Sequence, residues 1–180
     1  MDNSTIDSQF VQHAEVYVAN GNKLGVVMLQ DGYVGTAYRQ NADLCHWLAT
    51  WGRQLSVDSV MVVRQLKTTA IAADVFEPWS QAMNGLAGSW STMCGNGMMA
   101  ITLFYEEWVA GLRVGQVLPI QTRSGIRSVT KLRQNHYSVC MGIFTFNRGD
   151  LSAYTQLDDQ ANRYLQAPLP STLAVSFNDW

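Results

Sequence analysis

Val16 and Val18 alternate with polar neighbours, and two apolar-rich segments, 25–30 and 33–38, lie on either side of Asp31-Gly32. Alternation with a period of two puts one face of a strand on a core, and Asp-Gly between two such runs is a type I′ hairpin signal. The pattern therefore predicts that the chain opens in β-structure with a hairpin turning at Asp31-Gly32. Leu44, Trp47, Leu48, Trp51 and Leu55 then recur at helical spacing behind Asn41, a good N-cap, so a helix should run to Gly52 or shortly beyond. Val60-Met61-Val62-Val63 reads as a buried strand, and 69–76 as another that Pro78 breaks. A Gly/Ser/Asn-rich loop from Trp79 to Cys94 leads into a central helix whose first two turns are apolar on nearly every side. Such a helix is enclosed by its fold, and Glu106 and Glu107 mark its emergence toward solvent. Short strands follow at 118–122, 126–132 and 136–141, with turns at Ser124-Gly125 and Gln134-Asn135. The stretch 147–166 is polar, a loop with one short helical segment, and Pro168 and Pro170 punctuate its end. Residues 173–177 alternate as a half-buried strand.

The 180 residues are 47% hydrophobic, ample for a core, but only 14% charged with a net charge of −2. That balance lacks the basic footprint of a nucleic-acid binder and favours a small neutral or zwitterionic partner. Three widely spaced cysteines, 45, 94 and 140, form no C-x-x-C pair, so they indicate neither a disulfide framework nor a zinc site. Reduced thiols in a cytoplasmic protein are the expectation. The first five residues are polar and acidic, and no apolar run reaches bilayer-spanning length, so no membrane association is expected.

The candidate chemistry sits at Met93-Cys94-Gly95-Asn96-Gly97, directly before the apolar helix. Glycines allow close backbone approach, Asn96 brings a donor and an acceptor, and a helix N-terminus favours an anion. The expectation is a carboxylate held beside Cys94, with the thiol pKa lowered by the helix end. The bland alternative is a buried cysteine in a glycine turn. Cys140 reads as a strand-face or core residue and Cys45 as surface or packing. A Cys–His–Asn hydrolase using His136 or His46 has no supporting local signature. The histidines read as solvated polar residues, Trp47 and Trp51 as core before pocket lining, and Glu106-Glu107 as a solvated helix end.

These residues resemble the diaminopimelate epimerase family, the amino-acid racemases that work without pyridoxal phosphate. Cys94-Gly95-Asn96-Gly97 is similar to the family signature at the mouth of its central helix. Gly21-Asn22-Lys23 resembles its opening Gly-Asn-Asp, and Val57-Asp58-Ser59-Val60 the entry to its second strand. Asn84 to Ser89 is similar to its Asn-Ala-Asp-Gly-Ser turn with one residue inserted, and Gln121-Thr122-Arg123-Ser124-Gly125 to its Thr-x-x-Gly hairpin. Val139-Cys140-Met141-Gly142 and Val175-Ser176-Phe177-Asn178 resemble the strand closing the first lobe and the segment opening the second. Lys23 departs from the usual acid, Ser59 from the common glycine or glutamine, and Met98-Met99 from Ala-Arg, which bears on the substrate more than on the reaction.

The resemblance implies an α+β lobe, a bent and mostly antiparallel sheet or barrel wrapped around a central helix. It implies a first lobe over 1–166, then a linker and the start of a truncated second lobe over 167–180. The implied activity is a cofactor-independent amino-acid racemase or epimerase of the lysine-biosynthesis type, exchanging the α-proton between two cysteines without a metal. Cys94 is the one catalytic thiol present, Gly95 and Asn96 hold the substrate's carboxylate and amino end, and Asn22, Asn84 and Asn178 bind substrate. Inversion needs an acid and a base on opposite faces, so the second cysteine must come from a second lobe or a partner, self-association into a homodimer included. The competing readings are a non-catalytic ligand-binding or assembly module of the same fold, and a phenazine-biosynthesis-type isomerase, which lacks the cysteine signature.

Overall fold

The computed structural model of the chain describes residues 9–33, 37–67, 70–80 and 87–141. In order they form β1 (Val11–Ala19), β2 (Asn22–Leu29), α1 (Ala42–Gln54), β3 (Ser59–Lys67), β4 (Ala70–Glu77), β5 (Ser89–Ser91), α2 (Gly95–Trp108), β6 (Val117–Thr122), β7 (Gly125–Arg133) and β8 (His136–Cys140). The strands make one sheet in the order β1-β2-β3-β4-β6-β7-β8, with β5 paired to β4. The β2–β3 and β4–β6 pairs are parallel, because helices α1 and α2 lie in their connections, and the other pairings are antiparallel.

Helix α2 touches β1, β2 and β3 at one end of the strand order and β7 and β8 at the other. A flat sheet cannot reach one helix from both ends, so the sheet curls into a half-barrel around α2. Alternation divides its side chains between two cores. Leu24, Val26, Met61, Val63 and Val75 point inward onto Met98, Ile101 and Phe104 of α2. Val27, Val60, Val62 and Phe76 point outward onto Leu44 and Leu48 of α1. The enclosed helix and the bent α+β sheet expected from the sequence are both present. Thr102, buried within α2, satisfies its hydroxyl by donating to the Met98 carbonyl at 2.8 Å.

The first hairpin differs from expectation. It turns at Asn20-Gly21, with φ of +49° and +78°, the backbone a two-residue primed turn requires and Asn-Gly supplies most readily. Asp31–Tyr33 and Ala37–Gln40 are 3₁₀ turns, so β2 pairs back to β1 and forward to β3. The last two hairpins fall where expected, although the tight loop before β7 is Arg123-Ser124. Helix α1 is capped by Asn41, whose Oδ1 accepts the Leu44 N–H at 3.0 Å. The stretch 147–166, the strand at 173–177 and the division at 166 lie outside the described residues.

The solvated helix end expected at Glu106-Glu107 holds for Glu107, which is exposed, but not for Glu106, which is half-buried. Glu106 accepts from the Leu112 N–H at 2.8 Å, from Lys131 Nζ at 2.5 Å and from the Tyr137 hydroxyl, while Glu107 accepts from the Tyr17 hydroxyl at 2.8 Å. The pair ties the end of α2 to β7 and β8 on one side and to β1 on the other. Burial by itself raises the Glu106 carboxyl, but its bonds from Lys131, Tyr137 and Leu112 outweigh burial and hold it below the usual glutamate range. A carboxyl lowered in the folded state contributes stability above its unfolded pKa and loses it as pH falls through the folded value. The urea midpoint should therefore drop as pH falls below the ordinary glutamate range, and Glu106→Gln should flatten that acid-side slope.

Candidate active site at the mouth of the half-barrel

Cys94 is the N-cap of α2, with the extended backbone (φ −137°, ψ 117°) of a capping residue. Its sulfur stands where a serine or aspartate oxygen often stands, accepting the Gly97 N–H at 3.3 Å, and the Asn96 N–H also bonds to it. The amides expected to hold a substrate carboxylate are therefore aimed at the thiol.

The expected lowering of the thiol pKa is not what the site produces. Burial, the largest influence, pushes the Cys94 thiol above the ordinary cysteine value; the Gly97 N–H pulls it down, the Glu77 carboxylate pushes it up, and smaller effects of the Asn96 N–H and Asp58 oppose each other. Desolvation of the anion outweighs the helix end. In the free protein Cys94 is a protonated thiol at neutral pH.

Gly97 serves packing. A Cβ there would lie 2.1 Å from Met61 Sδ, so the core of β3 occupies the space that was expected to admit a ligand. A Cβ on Gly95 would stand 3.1 Å from the flexible end of Met141, a milder crowding. Gly97→Ala should lower stability by about 1–3 kcal/mol through overpacking, read as a fall in the denaturant midpoint at unchanged m-value.

Asn96 lies at the start of α2, and its Oδ1 accepts from Asn20 Nδ2 at 3.2 Å. Asn20 was not among the expected site residues, though the Asn20-Gly21 turn signal locates it at the hairpin tip. Asn22 stands at the base of β2 on the face that Leu24 and Val26 present to α2, so it shares the concave side with the thiol end of the helix. Asn84 and Asn178 lie outside the described residues. Lys23 is structural: its Nζ donates to the carbonyl of Leu55, the C-cap of α1, and its N–H donates to Asp58 Oδ2 at 2.8 Å.

The remaining candidates disperse. Cys45 is fully buried in the outer core and Cys140 is exposed on β8. His13 packs against Trp108 with the rings tilted at 55° and their centroids 4.0 Å apart, at the end of α2 remote from Cys94. His136 bonds within its own hairpin to Arg133 and the Gln134 carbonyl, and His46 is exposed on α1. Trp47 and Trp51 stack on each other against the outer core, as helical spacing implied, whereas Trp79 is largely exposed. Among the described residues no three His, Cys, Asp or Glu side chains are grouped to hold a metal ion, and no helix is long and apolar enough to cross a membrane. What the sequence pattern missed is a pair on the concave face: Ser59 Oγ donates to Glu77 Oε2 at 2.9 Å.

The molecule is thus an α+β half-barrel lobe with a cysteine-capped central helix at its mouth. No protein-family model and no curated protein matches the sequence. Among solved structures the chain is similar to a phenazine biosynthesis protein of the PhzF family from Enterococcus faecalis, at 12% identity and a TM-score of 0.46 over 80% of this chain and 49% of that one. It is also similar to a PhzF-family phenazine biosynthesis protein from Bacillus anthracis, at 17% identity and a TM-score of 0.43 over 72% of this chain. The chain spans 49% and 38% of the lengths of these two proteins.

Proposed function

We propose that the chain is one lobe of a cofactor-independent isomerase similar to diaminopimelate epimerase, in which Cys94 moves the α-proton of an amino acid. The observation that carries this reading is the Cys94 sulfur, placed at the tip of an enclosed helix with the Gly97 N–H 3.3 Å away. Charge that develops on sulfur during proton abstraction meets amides already oriented toward it, so its stabilisation requires no rearrangement. The protonated thiol serves directly as the acid, and after deprotonation as the base. Asn96 and Asn22, with the Gly95 backbone, supply polar groups for the substrate, and Asn84 and Asn178 join them in this reading. A second cysteine, from a second lobe or a partner copy, supplies the opposite face, since one group returns the proton to the side it left. The resemblance of the Cys94-Gly95-Asn96-Gly97 motif supports the same reaction class and a cytoplasmic setting.

The test is incorporation of solvent deuterium at the α-carbon, followed by mass spectrometry over a panel of amino acids that includes diaminopimelate. One thiol is enough to wash in label with retention, so labelling of at least one amino acid is the expected result. No labelling of any of them by folded protein overturns the reading. The Glu77 and Asp58 carboxylates, whose charges both act on Cys94, favour a second reading, an isomerase whose proton transfer runs on carboxylates, as an alternative of the phenazine-biosynthesis type. Labelling that survives Cys94→Ala would establish it in place of the first.

A further inference from the structure

Asp74 on β4 pairs directly with Val62 on β3, which puts its side chain on the outer face of the sheet, where it is almost fully buried. Its Oδ2 accepts the Tyr38 hydroxyl and stands 3.6 Å from two guanidinium groups, at Arg39 Nη1 and at Arg64 Nε. Arg39 belongs to the 3₁₀ turn Ala37–Gln40, and its carbonyl is fixed by the Trp90 indole N–H at 3.0 Å and the Cys45 thiol at 3.6 Å. Arg64 is the extra residue of the β-bulge between Val63 and Gln65, an irregularity that re-aims a side chain. Backbone geometry thus brings both arginines to one carboxylate.

The two guanidinium groups are under-used. At 3.6 Å neither makes the charge-assisted hydrogen bond of a normal arginine–carboxylate pair, and neither donates to any other described residue. Their side chains are nevertheless only 22% and 18% exposed, and Arg64 Nε is buried. Two cations share one anion, so the cluster also carries one positive charge in excess. The stretches 34–36, 68–69 and 81–86 contain no acidic residue to balance it. Idle donors and an unbalanced charge are both costly where water is largely excluded, and water satisfies the donors without supplying the charge. A singly charged oxyanion supplies both, because its two oxygens match a guanidinium fork. Asp74 Oδ1, buried and likewise without a partner, repels further negative charge, which disfavours a dianion.

We propose that Arg39 and Arg64, oriented by Asp74, bind the carboxylate group of a small molecule on the outer face of the sheet. The site is separate from the chemistry at the helix mouth: Tyr38 packs in the outer core and Cys94 against the inner one, so the sheet lies between them. It needs no part of the isomerase reading. The partial exposure of both arginine side chains leaves a way in from solvent.

The experiment follows the arginine Nε–H signals in proton–nitrogen correlation spectra while sodium acetate is added at constant ionic strength, with sodium chloride as the reference anion. Arg39→Lys and Arg64→Lys assign the two signals by their disappearance. Acetate should move both signals to saturation, chloride should not, and sulfate, a dianion, should bind more weakly than acetate. Arg39→Gln should weaken acetate binding, read at the Arg64 signal, by about tenfold or more. Arg39→Lys, which keeps the charge without the fork, should weaken it less. Unchanged backbone amide spectra show that the variants are folded, and if Arg39→Gln does not fold, the weakening in Arg39→Lys carries the test. No movement with acetate, equal movement with chloride, sulfate binding more tightly than acetate, or undiminished binding in the Arg39 variants would overturn the proposal. Movement that never saturates means an adventitious ion only, and overturns it as well.

Discussion

Cys94→Ala should lower α-hydrogen exchange by a factor on the order of 10²–10⁴, the usual contribution of a positioned proton-transfer group. Cys94→Ser should lose nearly as much while keeping the fold, because a serine oxygen caps a helix well but does not ionise in the working pH range. That second variant separates chemistry from architecture: the sulfur both caps α2 and carries the proton, and only the capping survives in serine. Cys45→Ala, in the outer core, and Cys140→Ser, on the exposed strand, should leave the exchange rate unchanged. The rate should also climb with pH through and past the ordinary cysteine range, since burial pushes the thiol up and less of it ionises at neutral pH. The linked effect on stability has the same origin. A thiol whose folded pKa is raised contributes stability fully below its unfolded value and loses it as pH rises through the folded one. Exchange that is unchanged in Cys94→Ser, or flat with pH across that range, would exclude Cys94 as the proton carrier.

Phe104→Ala should destabilise the lobe by about 3–5 kcal/mol, the cost of deleting a fully buried aromatic ring and leaving a cavity. Phe104 sits on α2 in the inner core, edge-on to Tyr17 of β1 at a centroid distance of 6.4 Å and tilted against His13 and Trp108. Removing it loosens the helix from the β1 side of the half-barrel, where the Tyr17–Glu107 hydrogen bond is a further tie. The denaturant midpoint should fall accordingly. The comparison variant is Ile126→Ala on β7, which is 65% exposed and should change stability by no more than about 0.5 kcal/mol. Similar losses in the two variants would mean that the inner core is not what holds the sheet around α2.

Much of this architecture is written locally. The all-round apolar start of α2 required enclosure, and Val60-Met61-Val62-Val63 required a strand buried on both sides; both follow from periodicity alone. Asn41 and the spacing behind it placed α1 correctly for the same reason. The first hairpin was misplaced because two turn dipeptides compete: Asn20-Gly21 and Asp31-Gly32 carry equivalent signals, and pairing to β3 selects the former. β5 is only three residues long, too short for a periodic signal, and exists because β4 offers it an edge.

In the site, the motif around Cys94 identified the cap but not its electrostatics. Helix-end attraction is a local property that a sequence displays, whereas desolvation depends on how much protein surrounds the sulfur, and the repulsion from Glu77 and Asp58 on how the segments that carry them are placed. Glu77 is 17 residues upstream of Cys94 and Ser59 another 18 before that, separations at which no spacing rule applies. The role of Gly97 was likewise hidden, because its close contact is Met61 on another strand. The sequence by itself determined the alternations, the caps and the thiol at a helix mouth, all of which depend on neighbours within one or two turns. The tertiary structure alone decided which turn closes the first hairpin, that the thiol is pushed up instead of down, and that Ser59 holds the Glu77 carboxylate on the concave face. Those outcomes come from burial and from charges brought together by the curl of the sheet, and both act through space instead of along the chain.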